Sequence, residues 1–302
     1  MPVSDAAALS RYEDLRAQGQ DLLRRGKFPK ALEVFEGALS LARSLGDADV
    51  FDRAVCNRCR VAIEMGRTAD ECGELAKVLL RNRDPETQFF AAYNLSRAYQ
   101  VRKESERAIS YAAKARQFAE LLGRPELMAS AHNQRGVSLL AASYFDEALE
   151  EFRSALSLLS AAPTRRRGAL LDNLGYCLVV RGEIRNGLVA LYESWRTLRR
   201  LGEQWVEMAP RLSLCYAYLE LEKSRAALRH GKAALELSEK LGDHATSKAS
   251  LYLLGEAAKQ AGDKFLARRY FQRLQESYYP DNPDLIDMLL VIDARTLVNL
   301  KA

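Results

Sequence analysis

Residues 133–160 read NQRGVSLLAASYFDEALEEFRSALSLLS. Apolar side chains recur every three or four positions on both sides of Ala-Ala-Ser-Tyr, the pattern of two amphipathic helices joined by a tight turn. Gly136 and Ala148 are the small residues within those two patterns. They fall where one helix must cross the other closely, because a larger side chain there would hold the two axes apart.

The same unit recurs along the whole chain. The residue equivalent to Gly136 falls at Gly19, Cys59, Ser96, Gly136, Gly175, Cys215 and Gly255, at spacings of 40, 37, 40, 39, 40 and 40. Twelve residues after each lies Ala31, Glu71, Ala108, Ala148, Gly187, Ala227 or Ala267, and only Glu71 breaks the rule. Four further on lies Phe35, Leu75, Ala112, Phe152, Leu191, Gly231 or Phe271. Seven copies in one register predict helical hairpins at about 7–45, 48–82, 86–122, 125–160, 166–201, 205–241 and 245–279.

This pattern of small, aromatic and alanine positions resembles the tetratricopeptide repeat, a helix–turn–helix of about 34 residues. The longer period implies second helices almost two turns longer, as in the LGN-type adaptors, the kinesin light chains and the sensor portion of the bacterial maltose regulator. Glycines at 46, 123, 202 and 242 close the second helices, followed by Asp47, Glu203 or Asp243 near the next start. The expected fold is all-α: a right-handed α-solenoid of seven hairpins forming one array over residues 1–302, ended by a capping helix at 283–300. Stacked repeats share one core, so length alone does not call for two domains.

In such arrays the resemblance implies a concave groove lined by the first helices. Helical geometry places the residues six, three and two before, and one after, each crossing position roughly opposite it. At two before stand Asn57, Asn94, Gln134 and Asn173 in four consecutive copies; Asn133 adds a fifth carboxamide at three before. A carboxamide both donates and accepts, which suits the backbone of an extended peptide; pairing between repeats is the competing account. Arg53, Arg60 and Arg97 add positive charge in the second and third copies, suited to an acidic ligand. Glu64 competes for these arginines. Tyr93, Tyr176, Tyr216 and Tyr252 offer flat contact area.

The C-terminal stretch is apolar nearly all round, with Leu285, Met288, Leu289 and Ile292 among its exposed candidates for a homodimer or partner contact. Burial against the seventh hairpin is the alternative, and Asp284, Asp287, Asp293 and Arg295 would supply a polar outer face.

Catalytic chemistry finds little support. His132, His230 and His244 occupy three separate helices, and Cys56-Asn57-Arg58-Cys59 is a lone CxxC with Cys72 opposite. Cys59, Cys72, Cys177 and Cys215 read as small buried thiols. No metal or cofactor is expected. The formal charge of +5 comes from 45 basic and 40 acidic residues interleaved, as on solvated helix faces, which argues against nucleic acid. With neither a signal-like start nor an apolar run of about 20 residues, the expected location is the cytoplasm, without membrane insertion. The expected function is a non-enzymatic adaptor or scaffold gripping a peptide segment of a partner. The alternatives are a peptide-responsive regulator and a dimeric structural subunit.

Overall fold

The computed structural model describes residues 3–202 and 204–292. All of the regular structure there is helical. The chain divides into two compact units, residues 1–159 and 160–302. The division falls after the short α8, where Ala-Ala-Pro-Thr interrupts helical packing.

The first unit holds four hairpins: α1 (Val3–Arg24) with α2 (Phe28–Leu45), α3 (Ala48–Glu64) with α4 (Glu71–Arg81), α5 (Pro85–Val101) with α6 (Ser105–Leu122), and α7 (Pro125–Ala141) with α8 (Phe145–Ser157). The second holds three: α9 (Arg165–Val180) with α10 (Ile184–Arg200), α11 (Met208–Glu220) with α12 (Ser224–Leu241), and α13 (His244–Gln260) with α14 (Lys264–Tyr278). A 3-10 turn at Gln204–Glu207 precedes α11, and α15 (Leu285–Val291) follows. The lengthening of second helices is uneven: α2, α6 and α12 have 18 residues, whereas α4 has 11 and α8 has 13.

Each hairpin turns through one residue of positive φ: Gly26, Gly66, Lys103, Ser143, Gly182, Glu222 and Gly262. These lie seven residues after each crossing position. Asp47 and Asp243 begin their helices as the sequence suggests, accepting from Val50 N at 3.1 Å and Thr246 N at 3.1 Å. Glu203 lies outside the described residues.

Within the hairpins, the small and large positions fit together. A Cβ on Gly19 would lie 2.7 Å from the Phe35 ring, and one on Gly255 2.2 Å from Phe271. In the sixth copy the sizes are exchanged, and a Cβ on Gly231 would lie 2.9 Å from the Cys215 sulfur. Ser96 faces the smaller Ala112 and donates its hydroxyl to Ala108 O at 2.8 Å. The exceptional Glu71 is buried, and its carboxylate lies 3.4 Å from the Arg58 guanidinium.

Of the C-terminal helix expected at 283–300, the described residues show α15 over Leu285–Val291. Ile292 is already extended at φ −71°, ψ 138°. The Lys259 ammonium donates to Leu289 O at 2.8 Å and to Ile292 O at 2.6 Å. Leu285 and Leu289 are buried against α13 and α14, which removes both from the proposed oligomer contact. Met288 is 45% exposed and Ile292 intermediate. Residues 293–300, including Asp293 and Arg295, lie outside the described residues.

Candidate peptide-binding site

In the first unit, the first helices of three consecutive hairpins present side chains to one hollow of about 160 Å³. Arg16 and Gln20 come from α1, Arg53, Asn57 and Arg60 from α3, and Phe90 and Asn94 from α5. Glu86 and Thr87 complete the α5 side. The periodicity of about 40 residues brings these groups together: each occupies a similar angular place on its own helix, and stacking aligns the helices. Four of the sequence-derived candidates, Arg53, Asn57, Arg60 and Asn94, meet here.

Three arginines give the hollow a positive bias. Arg16 pairs with Glu13 at 2.6 Å, Arg53 approaches Asp84 only at 3.9 Å, and Glu86 is engaged by Arg124 at 2.6 Å. Gln20 and Asn57 are half-buried, and their carboxamides have no hydrogen-bond partner among the described residues. Phe90 is 37% exposed and supplies an apolar wall.

The carboxamide ladder is used in two ways. Asn94 is 2% exposed and donates its Nδ2 to Cys56 O at 3.0 Å. Gln134, 4% exposed, donates to Ser96 Oγ at 3.2 Å and Gln100 Oε1 at 3.1 Å. Both therefore reach back to the preceding first helix, tying consecutive hairpins together. Asn133 is half-buried on α7 and lies outside the hollow.

Arg97 also stands apart from the hollow. It donates to Glu64 at 2.7 Å. Burial alone would raise the Glu64 carboxyl, but the adjacent guanidinium outweighs it and holds the group below the usual range. Tyr93 stacks on Phe89, ring centroids 5.8 Å apart.

The remaining candidates belong to the second unit. Tyr176 is 2% exposed, with its ring 5.5 Å from that of Tyr216. Burial, with the neighbouring Glu220 carboxylate, pushes the Tyr216 phenol well up. Tyr252 packs against two core clusters, and Asn173 is half-buried. Much of the aromatic surface expected for a ligand is thus part of this unit's own packing.

The histidines and cysteines have structural surroundings. His132 Nδ1 lies 2.7 Å from Glu151, which also pairs with Arg135. His230 is buried among Tyr192, Trp195 and Tyr218, and His244 lies edge-on to Tyr278. All five cysteines are buried and unpaired with one another; burial pushes the Cys59 thiol up to about 12, far from a reactive thiolate. Among the described residues no group of three or more His, Cys, Asp or Glu is placed to hold a metal, and no helix is long and apolar enough to cross a membrane.

Sequence reasoning passed over Arg16, Gln20 and Phe90 as site residues. Their signal was present: Phe90 shares the repeat position of Arg53, Gln20 that of Arg60, and Arg16 that of Cys56, Tyr93 and Asn133.

No family model matches the chain, and no curated protein matches it in sequence. Solved structures do resemble it. A Rap protein complexed with competence and sporulation factor is 13% identical, with TM-score 0.73 over 93% of this chain and 80% of that one. A tetratricopeptide repeat protein from Parabacteroides merdae is 17% identical, with TM-score 0.54 over 92% and 97%. NprR in complex with its cognate peptide NprX is 13% identical, with TM-score 0.59 over 96% and 82%. At these identities the likeness speaks for architecture, and together with the seven hairpins it makes this chain's fold that of the tetratricopeptide-repeat proteins.

Proposed function

We propose that this chain is a non-enzymatic interaction protein whose first unit holds a peptide segment of a partner in the hollow between α1, α3 and α5. The observation that carries the reading is the convergence of Arg53, Asn57 and Arg60 with Gln20 and Phe90. The arginines match an acidic group, and the carboxamides of Asn57 and Gln20 match peptide backbone. Phe90 meets an apolar side chain. Arg97, Asn173 and the tyrosines would act at its margins or in the second unit.

A peptide-responsive regulator is the second reading, favoured by the likeness to NprR bound to its cognate peptide. Dimerisation through the C-terminal helix is weakened by the burial of Leu285 and Leu289. A cytoplasmic location accords with five buried, unbridged thiols.

The test is a pull-down from native lysate with the wild-type chain and an Asn57→Ala/Arg60→Glu variant of equal helicity. Loss of one charged hydrogen-bonded contact weakens binding about tenfold or more. A protein enriched by the wild type and lost with the variant supports the reading. Identical recovery with both overturns it.

A further inference from the structure

The second unit carries another concentration of chemistry, among helices other than those that form the hollow. Trp195 on α10 lies under two guanidinium groups: that of Arg199, one turn further along the same helix, at 5.4 Å from the ring centroid, and that of Arg211 on α11 at 4.9 Å. Glu207, one turn before Arg211, accepts the indole N–H at 3.2 Å. Ala233, Glu236 and Leu237 of α12 close a cleft of about 300 Å³ that Arg199, Glu207 and Arg211 also line.

The cleft holds two guanidinium groups and two carboxylates, Glu207 and Glu236, but the donors of the arginines are incompletely used. Arg199 has no carboxylate within ion-pair distance among the described residues. Arg211 has one, Glu207, at 4.0 Å, and the Glu207 oxygen involved is the one already accepting from Trp195. The Nε of Arg211 is shielded from solvent and has no acceptor. Burial lowers the pKa of Arg211, opposed by the Glu207 carboxylate, helped by repulsion from Arg199 and opposed again by Glu236; burial prevails, a deficit that an incoming anion would reduce. Contact with the indole restrains both guanidinium groups, leaving less side-chain freedom to be lost on binding.

We infer that the cleft between α10, α11 and α12 binds a phosphate dianion, free or as a monoester, held by Arg199 and Arg211. Guanidinium forks suit phosphate because two N–H donors meet two oxygens at once. Glu236 is exposed, lines the same space and acts on Arg211 through its charge. Its carboxylate, part of the wall that closes the cleft, opposes the anion and limits affinity. This inference is independent of the peptide hollow, which lies in the first unit.

Trp195 and Trp205 are the chain's two tryptophans, so indole emission from the full chain carrying Trp205→Phe reports on Trp195. That protein is titrated at constant ionic strength with inorganic phosphate, with glycerol 2-phosphate and with sodium chloride. Expected is a saturable change with one or both phosphates and none with chloride; the stronger of the two identifies the natural form as free anion or ester. Arg199→Gln and Arg211→Gln weaken it about tenfold or more, and Glu236→Gln tightens it severalfold. Arg199 is exposed, so its variant decides the matter if Arg211→Gln fails to fold by circular dichroism. Absence of saturation, an equal response to chloride, or unchanged affinity in Arg199→Gln would overturn the inference.

Discussion

Asn94 on α5 donates its side-chain N–H to the backbone carbonyl of Cys56 on α3, at 3.0 Å and out of contact with water. That bond spans 38 residues of sequence and joins two hairpins through their first helices. Replacing Asn94 with alanine removes the second bond to a carbonyl that α3 already uses in its own helix, which costs about 0.5–1.5 kcal/mol. Urea unfolding of Asn94→Ala should therefore show a lower midpoint, while Asn57→Ala, whose carboxamide lies in the hollow, should leave the midpoint nearly unchanged. Equal midpoints for both variants would remove the structural role assigned to Asn94.

The crossing of α7 and α8 gives a second prediction. A Cβ on Gly136 would stand 2.6 Å from the Phe152 ring, so Gly136→Ser overpacks the hairpin by about 1–3 kcal/mol. The third hairpin resolves the same crossing with Ser96 and Ala112, both fully buried. Gly136→Ser/Phe152→Ala should then lose less stability than the sum of its single variants, because the smaller partner makes room for the larger one. Additive losses in chemical unfolding would show that the two positions do not share volume.

These crossings were legible in sequence because close approach limits volume, and Gly19, Gly136, Gly175 and Gly255 recur in a register that no solvent-facing position has to keep. The boundaries of most helices followed for the same reason. The partners of polar side chains were less legible. Asn57 and Asn94 occupy the same repeat position, yet Asn57 lies in the hollow and Asn94 reaches a carbonyl, since the difference depends on what the preceding helix presents. The bond from Lys259 to Leu289 O joins residues 30 apart that share no repeat position. Trp195 and Arg211 are 16 residues apart on different helices, and no periodic pattern joins them. The division after residue 159 leaves no mark in the repeat register, which keeps a spacing of 39 between Gly136 and Gly175.

The hairpin turns yield a third prediction. Lys103, Ser143 and Glu222 hold φ of 60°, 65° and 57°, where four other hairpins use glycine. A side chain in this region costs about 1–2 kcal/mol, offset in part by the greater freedom that glycine gives the unfolded chain. Each of Lys103→Gly, Ser143→Gly and Glu222→Gly should raise stability by up to about 1 kcal/mol, and Gly182→Ala should lower it by a similar amount. Thermal melts read both signs. A loss of stability in all three glycine variants would mean that their side chains contribute more than the backbone conformation costs.

The last prediction concerns acid. His230 is 3% exposed, its Nε2 is 3.4 Å from the Tyr192 hydroxyl, and its ring is stacked on Tyr218. Burial first, then repulsion from Arg229 and Arg211, lowers its pKa to about 4. The unfolded chain keeps a histidine near 6.5, so as pH falls it takes up this proton before the folded chain does. The stabilising contribution of neutral His230 is therefore complete above about pH 6.5, declines down to about pH 4, and is constant below. The slope is at most about 1.4 kcal/mol per pH unit. Carboxylates titrate near the lower end of this window, so the quantity to measure is the difference between wild type and His230→Gln in phosphate-free buffer. Urea midpoints taken from pH 7.5 to 4 should show the two proteins converging as the medium becomes acidic, because only the wild type carries the buried imidazole. A difference that stays constant across the range would mean that His230 is protonated as readily when folded as when unfolded.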